Sequence, residues 1–182
     1  MTNLAPVEND AHRFAPAGPD EDIVYGACCP GWHTAASHEA AVAQWVSFMR
    51  DHGIERVCCL LPGDQLDAGG ANVARYHEAF GPDQVLHAPI PDHRLADPDV
   101  LREDIHPFLD EADADREPVV VHCLTGLGRT GQVLAAWLVH ARQCSPEVAV
   151  ETVQSMGRDP LAVVEAGNAT REELLTLLAL TA

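Results

Sequence analysis

The stretch VVVHCLTGLGRTG, residues 119–131, sets Cys123 and Arg129 with five residues between them and places glycines at 126, 128 and 131. A cysteine thiolate is a strong nucleophile. A guanidinium is a planar fork of donors that matches two oxygens of a phosphate. Glycines let successive backbone N–H groups turn to one side and form a nest for an anion. Leu124, Thr125, Gly126, Leu127, Gly128 and Arg129 are therefore the candidate anion-binding segment. The Thr130 hydroxyl could bond the Cys123 sulfur and stabilise it when it departs. Together these groups suit attack on a phosphorus atom whose oxygens are held from several sides.

Such a loop needs a strand before it and a helix after it. PVVVHC (118–123) is a continuous apolar run with three β-branched residues, as expected of a strand covered on both faces. TGQVLAAWLVHARQ (130–143) is mostly apolar and helical in pattern, so it belongs near the centre. The strand-to-helix turn then lies at the carboxyl edge of a parallel sheet, where ligands bind in such folds. The helix that follows points its positive end at the same place. Every neighbouring charge or dipole there favours the thiolate of Cys123.

The rest of the chain alternates in the same way. DIVYGA (22–27), RVCCLL (56–61) and QVLHAPI (84–90) read as strands. Residues 37–53 form an amphipathic helix with Ser37 at its start and Gly53 at its end. Residues 97–112 start a helix with Asp97 as cap and Pro98 in the first turn, and Pro107 should kink or break it. Residues 145–157 carry a cap, a first-turn proline and a terminal glycine. Thr170 and Glu173 stand at capping-box spacing ahead of a last helix. This is an α/β fold with a mostly parallel central sheet of about four to five strands and helices on both faces. Residues 1–22 are polar, proline-rich and aperiodic and read as a flexible tail. Residues 23–182 read as one catalytic domain.

The 182 residues carry a net charge of −17, and all 11 basic residues are arginine. Such a surface repels nucleic acid and membranes, so neither is an expected partner. The excess of acid together with the missing lysine resembles haloarchaeal proteins. GC-rich codon use is the competing explanation. No apolar run approaches a membrane span, and a cytoplasmic protein with reduced cysteines is expected.

HCLTGLGRTG resembles the signature loop of the cysteine-dependent protein tyrosine and dual-specificity phosphatases. The matching residues are His122, Cys123, Gly126, Gly128, Arg129, Thr130 and Gly131. HAPIPDHRLAD (87–97) is similar to that family's mobile acid loop, with Pro91 and Asp92 on its Pro-Asp pair. Weaker likeness runs from VYGACCPGWH to SMGRDP. Ile90 stands where the tyrosine-specific members carry tryptophan, which points to the small dual-specificity type. No residue within 124–128 is basic, which weakens a phosphoinositide substrate. The resemblance implies a phosphocysteine intermediate on Cys123, oxyanion stabilisation by Arg129 and proton transfer by Asp92, with no metal or cofactor. The implied substrate is a phosphorylated protein or a small phosphomonoester.

Other residues admit plainer readings. His122 is expected to hydrogen-bond the loop backbone rather than act as a base. Asp97 is read as a cap. Cys28 and Cys29 with His33 could suggest a metal site, but vicinal cysteines are poor joint ligands. Cys58 and Cys59 are expected in the core, and Asp64 and Asp67 in solvent. Arg158 is a candidate for the substrate rim. A rhodanese- or arsenate-reductase-like enzyme also places cysteine in an anion loop, but lacks the Pro-Asp loop and the Gly-Arg-Thr-Gly exit. A non-enzymic phospho-binding module would be expected to have lost the cysteine, the arginine or the acid, and this chain has all three.

Overall fold

The structure, a computed structural model, describes residues 11–32, 37–69 and 72–182. Five strands form one sheet in the order β1-β2-β5-β3-β4. These are β1 (Ala15–Pro16), β2 (Val24–Ala27), β3 (Arg56–Cys59), β4 (Val85–His87) and β5 (Val119–His122). β1 runs antiparallel to β2, and all other pairings are parallel. The mostly parallel α/β architecture expected from the sequence is the one observed.

Strand side chains alternate between two cores. Val57, Cys59 and Val120 pack on Trp45 and Met49 of α1 (His38–Asp51) and on Tyr76 of α3 (Val73–Phe80). Cys58, Val119 and Val121 face the opposite core, with residues of α4 (His106–Asp115), α5 (Gly128–Arg142), α6 (Pro146–Ser155) and α8 (Arg171–Leu180). β5 lies between β2 and β3 and is buried along its length. α5 is buried from Arg129 to Val139, which explains its apolar composition. The sheet therefore delivers the end of β5, and the start of α5, to a fixed place.

Capping follows the sequence. Ser37 Oγ accepts from Ala40 N at 3.4 Å, and Ser145 Oγ from Val148 N at 3.3 Å. Thr170 and Glu173 cap each other reciprocally at α8. Pro107 is accommodated rather than terminating the helix. A π-helical turn, Val100–Ile105, precedes α4, and His106 N–H bonds the Leu101 carbonyl five residues back. The wider turn changes the hydrogen-bond register just where proline has no N–H to give.

Three expectations need correction. Residues 11–22, read as part of a flexible tail, carry β1 and join the fold. The carboxylate of Glu21, 7% exposed, accepts from Ile23 N, Val24 N, Trp137 Nε1 and Arg142 Nε. A carboxylate satisfied on four sides fixes the chain entering β2. The segment between β3 and β4, given no element from sequence, holds α2 (Gly63–Gly69) and α3. Finally, α5 begins at Gly128 rather than Thr130, so Arg129 projects from its first turn. Residues 1–10 and His33 lie outside the described residues, as does the side chain of Asp67.

Candidate active site

β5 ends at His122, and the chain turns through residues 123–127 before α5 begins. Gly126 sits at φ +76, and a Cβ there would lie 2.5 Å from the Ala27 carbonyl oxygen. Only glycine allows the loop to pass so close to the end of β2. Two guanidiniums grip the loop from behind. Arg13 Nη1 donates to Thr125 O at 3.0 Å, and Arg158 Nη1 to Gly126 O at 2.6 Å. In a planar trans peptide the N–H points opposite to the carbonyl. Pulling these two carbonyls backward therefore turns the Gly126 and Leu127 N–H groups forward. The Leu127 N–H is taken by Thr125 Oγ1 at 3.3 Å.

Arg158 is thus a scaffold residue rather than part of the substrate rim. It is 4% exposed and also donates to the carbonyls of Gly26 and Arg13. The motif read from sequence contains no signal for this, because its three partners come from three distant segments.

His122 supports the loop as expected. It is fully buried, with Nδ1 2.9 Å from Cys123 O and Nε2 3.1 Å from Tyr76 Oη. A carbonyl can only accept, so Nδ1 carries the proton and Tyr76 donates to Nε2. Burial lowers the His122 pKa to about 4, which keeps the ring neutral near pH 7.

Cys123, 1% exposed, lines a cavity of about 320 Å³. Leu124, Thr125, Leu127, Gly128, Arg129 and Asp92 share its wall. Trp32 and Val163 add apolar surface there. Arg129 is 4% exposed. Its Nη1 donates to Gln65 Oε1 at 2.7 Å and Ile90 O at 3.0 Å, and its Nη2 lies 3.3 Å from Asp92 Oδ1. The structure therefore brings Cys123, Arg129 and Asp92 to one cavity from β5, α5 and the segment after β4. Thr130 Oγ1 is buried and has no hydrogen-bond partner among the described residues, so the expected bond to the Cys123 sulfur is not made in this state.

The segment carrying Asp92 is held at several points. Gln132 of α5 accepts from Ala96 N at 2.9 Å and donates to Arg94 O at 3.0 Å. Asn168 Nδ2 donates to His93 O at 2.7 Å. Asp97 behaves as a cap, its Oδ1 accepting from Asp99 N at 2.8 Å. Gln65, Gln132 and Asn168 were not identified from sequence, where an isolated amide carries no positional signal.

Cys28, Cys29, Cys58 and Cys59 are all fully buried. Burial pushes the Cys28 thiol up to about 11, and Cys29 and Cys59 up to about 12; Cys58 rises as well. They are core residues. Among the described residues, no group of three or more His, Cys, Asp or Glu is placed to hold a metal ion.

A family model described as "Polymorphic toxin system, DSP-PTPase phosphatase" matches residues 33–143, which include the Asp92 segment and the whole Cys123 loop. The chain belongs to this phosphatase family. It is also similar to the dual specificity protein phosphatases OPG106 of Monkeypox virus and of Vaccinia virus strain Western Reserve. Each is 34% identical over 55 residues, which make up 30% of this chain and 32% of the viral protein. The chain thus matches about a third of the length of these relatives. Among solved structures, Tk-PTP in its active form is similar with a TM-score of 0.65 and 22% identity, over 88% of this chain and 92% of that one. PTPMT1 in complex with PI(5)P gives 0.64 and 15%, over 91% and 96%. These likenesses establish the small dual-specificity phosphatase fold. No helix among the described residues is long and apolar enough to cross a membrane.

Proposed function

We propose that the chain hydrolyses phosphomonoesters through a phosphocysteine intermediate on Cys123, with phosphotyrosine in proteins as the favoured substrate. The observation that carries this reading is the convergence of Cys123, Arg129 and Asp92 on one cavity. Its apolar walls, including Trp32, Leu127 and Val163, suit an aryl group better than a bare hydroxyalkyl chain. In the first step the Cys123 thiolate attacks phosphorus and the ester P–O bond breaks. Asp92 gives its proton to the departing oxygen. Arg129 and the loop N–H groups hold the equatorial oxygens as charge moves onto them. In the second step water attacks phosphorus, Asp92 takes a proton from it, and the S–P bond breaks to release phosphate. The unpartnered Thr130 hydroxyl is available to donate to the sulfur as it leaves.

Arg129 Nη2 lies 3.3 Å from Asp92 Oδ1, so a phosphate entering the clamp takes over the Nη2 donors that face the carboxylate. The strongly acidic composition disfavours nucleic acid and anionic membranes as partners. Phosphate release from a small aryl phosphate, run beside sulfur transfer from thiosulfate and reduction of arsenate, tests the reading. Aryl phosphate turnover that is lost in Cys123→Ser is expected. Faster turnover of thiosulfate or arsenate would replace the phosphatase reading with one of the other cysteine chemistries.

A further inference from the structure

We propose that Gln65 is a positioning residue that couples the acid to the phosphate clamp, one side-chain amide holding Asp92 and Arg129 together. This rests on the phosphatase reading above. Gln65 Oε1 accepts from Arg129 Nη1 at 2.7 Å while its Nε2 donates to Asp92 Oδ2 at 2.9 Å. The chemistry dictates the orientation. A guanidinium only donates and a carboxylate only accepts, so the amide must face oxygen to Arg129 and nitrogen to Asp92. A glutamate would repel Asp92, a lysine would repel Arg129, and an asparagine is one methylene shorter. The residue type and the site match on both sides.

The geometry explains why such a link is useful. Asp92 is 39% exposed at its side chain, and among the described residues its polar partners beyond Gln65 and Arg129 are the N–H and ring of adjacent His93. When a phosphate draws Arg129 Nη2 away, the Arg129 hold on the carboxylate is gone. Gln65 is anchored elsewhere: it lies in α2, and its N–H bonds Pro62 O at 3.0 Å just past β3. It can keep Asp92 over the cavity while leaving Arg129 Nη2 for the substrate. Gln65 is not among the residues lining the cavity, so its effect passes through Asp92 and Arg129.

The test compares wild type, Gln65→Leu and Gln65→Glu on phenyl phosphate, whose leaving group needs a proton, and on a dinitrophenyl phosphate, whose leaving group does not. Tungstate inhibition reports the clamp, and thermal melts report folding. Gln65→Leu should lower kcat on phenyl phosphate by about 10- to 10²-fold, the range for a misplaced catalytic group, with KM and dinitrophenyl turnover changed far less. Gln65→Glu keeps the acceptor for Arg129 but sets a second carboxylate beside the acid. It should retain tungstate affinity and move the alkaline limb of the pH–rate profile upward. If both variants fold and hydrolyse both esters at wild-type rates, the positioning role is overturned and the phosphatase reading stands. Equal loss on both esters together with lost tungstate inhibition would also overturn it, by making Gln65 a support for Arg129 alone. A wild type that hydrolyses neither ester overturns the phosphatase reading itself, and this proposal with it.

Discussion

Replacing Gly126 by alanine puts the phosphate cradle to the test at its tightest point. The new Cβ would sit 2.5 Å from Ala27 O, 2.6 Å from Ala27 C and 2.7 Å from Cys28 N. Comfortable contacts are about 3.5 Å or more, so roughly 1 Å of movement is required. The opposing atoms are backbone at the end of β2, and Ala27 is in register with His122 of β5. No flexible side chain can give way, so the loop must move. An alanine at φ +76 adds about 1–2 kcal/mol of strain, and overpacking adds about 1–3 kcal/mol. A displacement of that size in a positioning element can cost about 10²-fold in rate. We expect kcat/KM on an aryl phosphate to fall by about that factor, tungstate inhibition to weaken, and the protein to remain folded but with a lower melting temperature. Two controls separate strain from position. Gly128→Ala meets the Ala162 Cβ at 3.4 Å and the Asp159 carbonyl oxygen at 3.9 Å, both ordinary contacts, and should stay within about threefold of wild type. Gly53→Ala has positive φ but nothing within 4 Å, and should cost about 1–2 kcal/mol of stability with no loss of rate. A Gly126→Ala protein with wild-type turnover and tungstate affinity would refute the claim that the loop's approach to β2 shapes the anion site.

Asp92→Asn should lower turnover of phenyl phosphate by about 10²–10⁴-fold and of a dinitrophenyl ester far less. Asp97→Asn keeps the capping oxygen and loses only its charge at a helix start, so it should cost less than about 1 kcal/mol in a melt and leave the rate intact; the opposite pattern would move the acid to Asp97. His106 and His122 are buried, with pKa values lowered from 6.5 to about 4. Between these values the unfolded chain binds more protons than the folded one, so stability is fully present above about pH 6.5 and is lost as pH falls toward 4. The expected slope is about 1.4 kcal/mol per pH unit for each histidine. Urea melts across that window should show His106→Leu with the shallower slope, and an unchanged slope would contradict the assignment. If the −17 charge is an adaptation to salt, the melting temperature should rise from about 0.1 M to about 1 M KCl, as the Debye length falls from about 10 Å to about 3 Å. Equal melting points would favour codon usage.

What could be read from the sequence was what is local. A buried strand, a glycine-rich turn and a buried helix occupy one contiguous run, so Cys123, Arg129 and their positions at the sheet edge followed from patterning alone. Asp92 was legible only through the resemblance of HAPIPDHRLAD to the phosphatases' acid loop, with its position after Pro91 and a strand in support. What escaped was long-range. Gln65 reaches Arg129 across 64 positions, and Arg158 reaches Gly126 across 32. An arginine in GRDP looks like a free cation until three carbonyls from separate segments close around it. Residues 11–22 lack periodicity because β1 has only two residues and Glu21, a charged residue, serves as a buried anchor. Helix α3 does carry a stripe, Val73, Tyr76 and Phe80 at i, i+3 and i+7 between an Asn72 cap and Gly81, but its eight residues give only about two turns of periodicity, too few to stand out from a loop.

The central claim is that phosphoryl transfer passes through Cys123. It is tested most directly by acid-quenching the Asp92→Asn variant during turnover of a dinitrophenyl phosphate and sequencing its peptides by mass spectrometry. With a leaving group that needs no proton, the first step proceeds, and without the base the second is slow, so the intermediate accumulates. The account predicts a phosphoryl group on Cys123 and none in the same preparation carrying Cys123→Ser. Wild-type turnover by the Cys123→Ser protein, or a phosphoryl group trapped on any other residue, would contradict it.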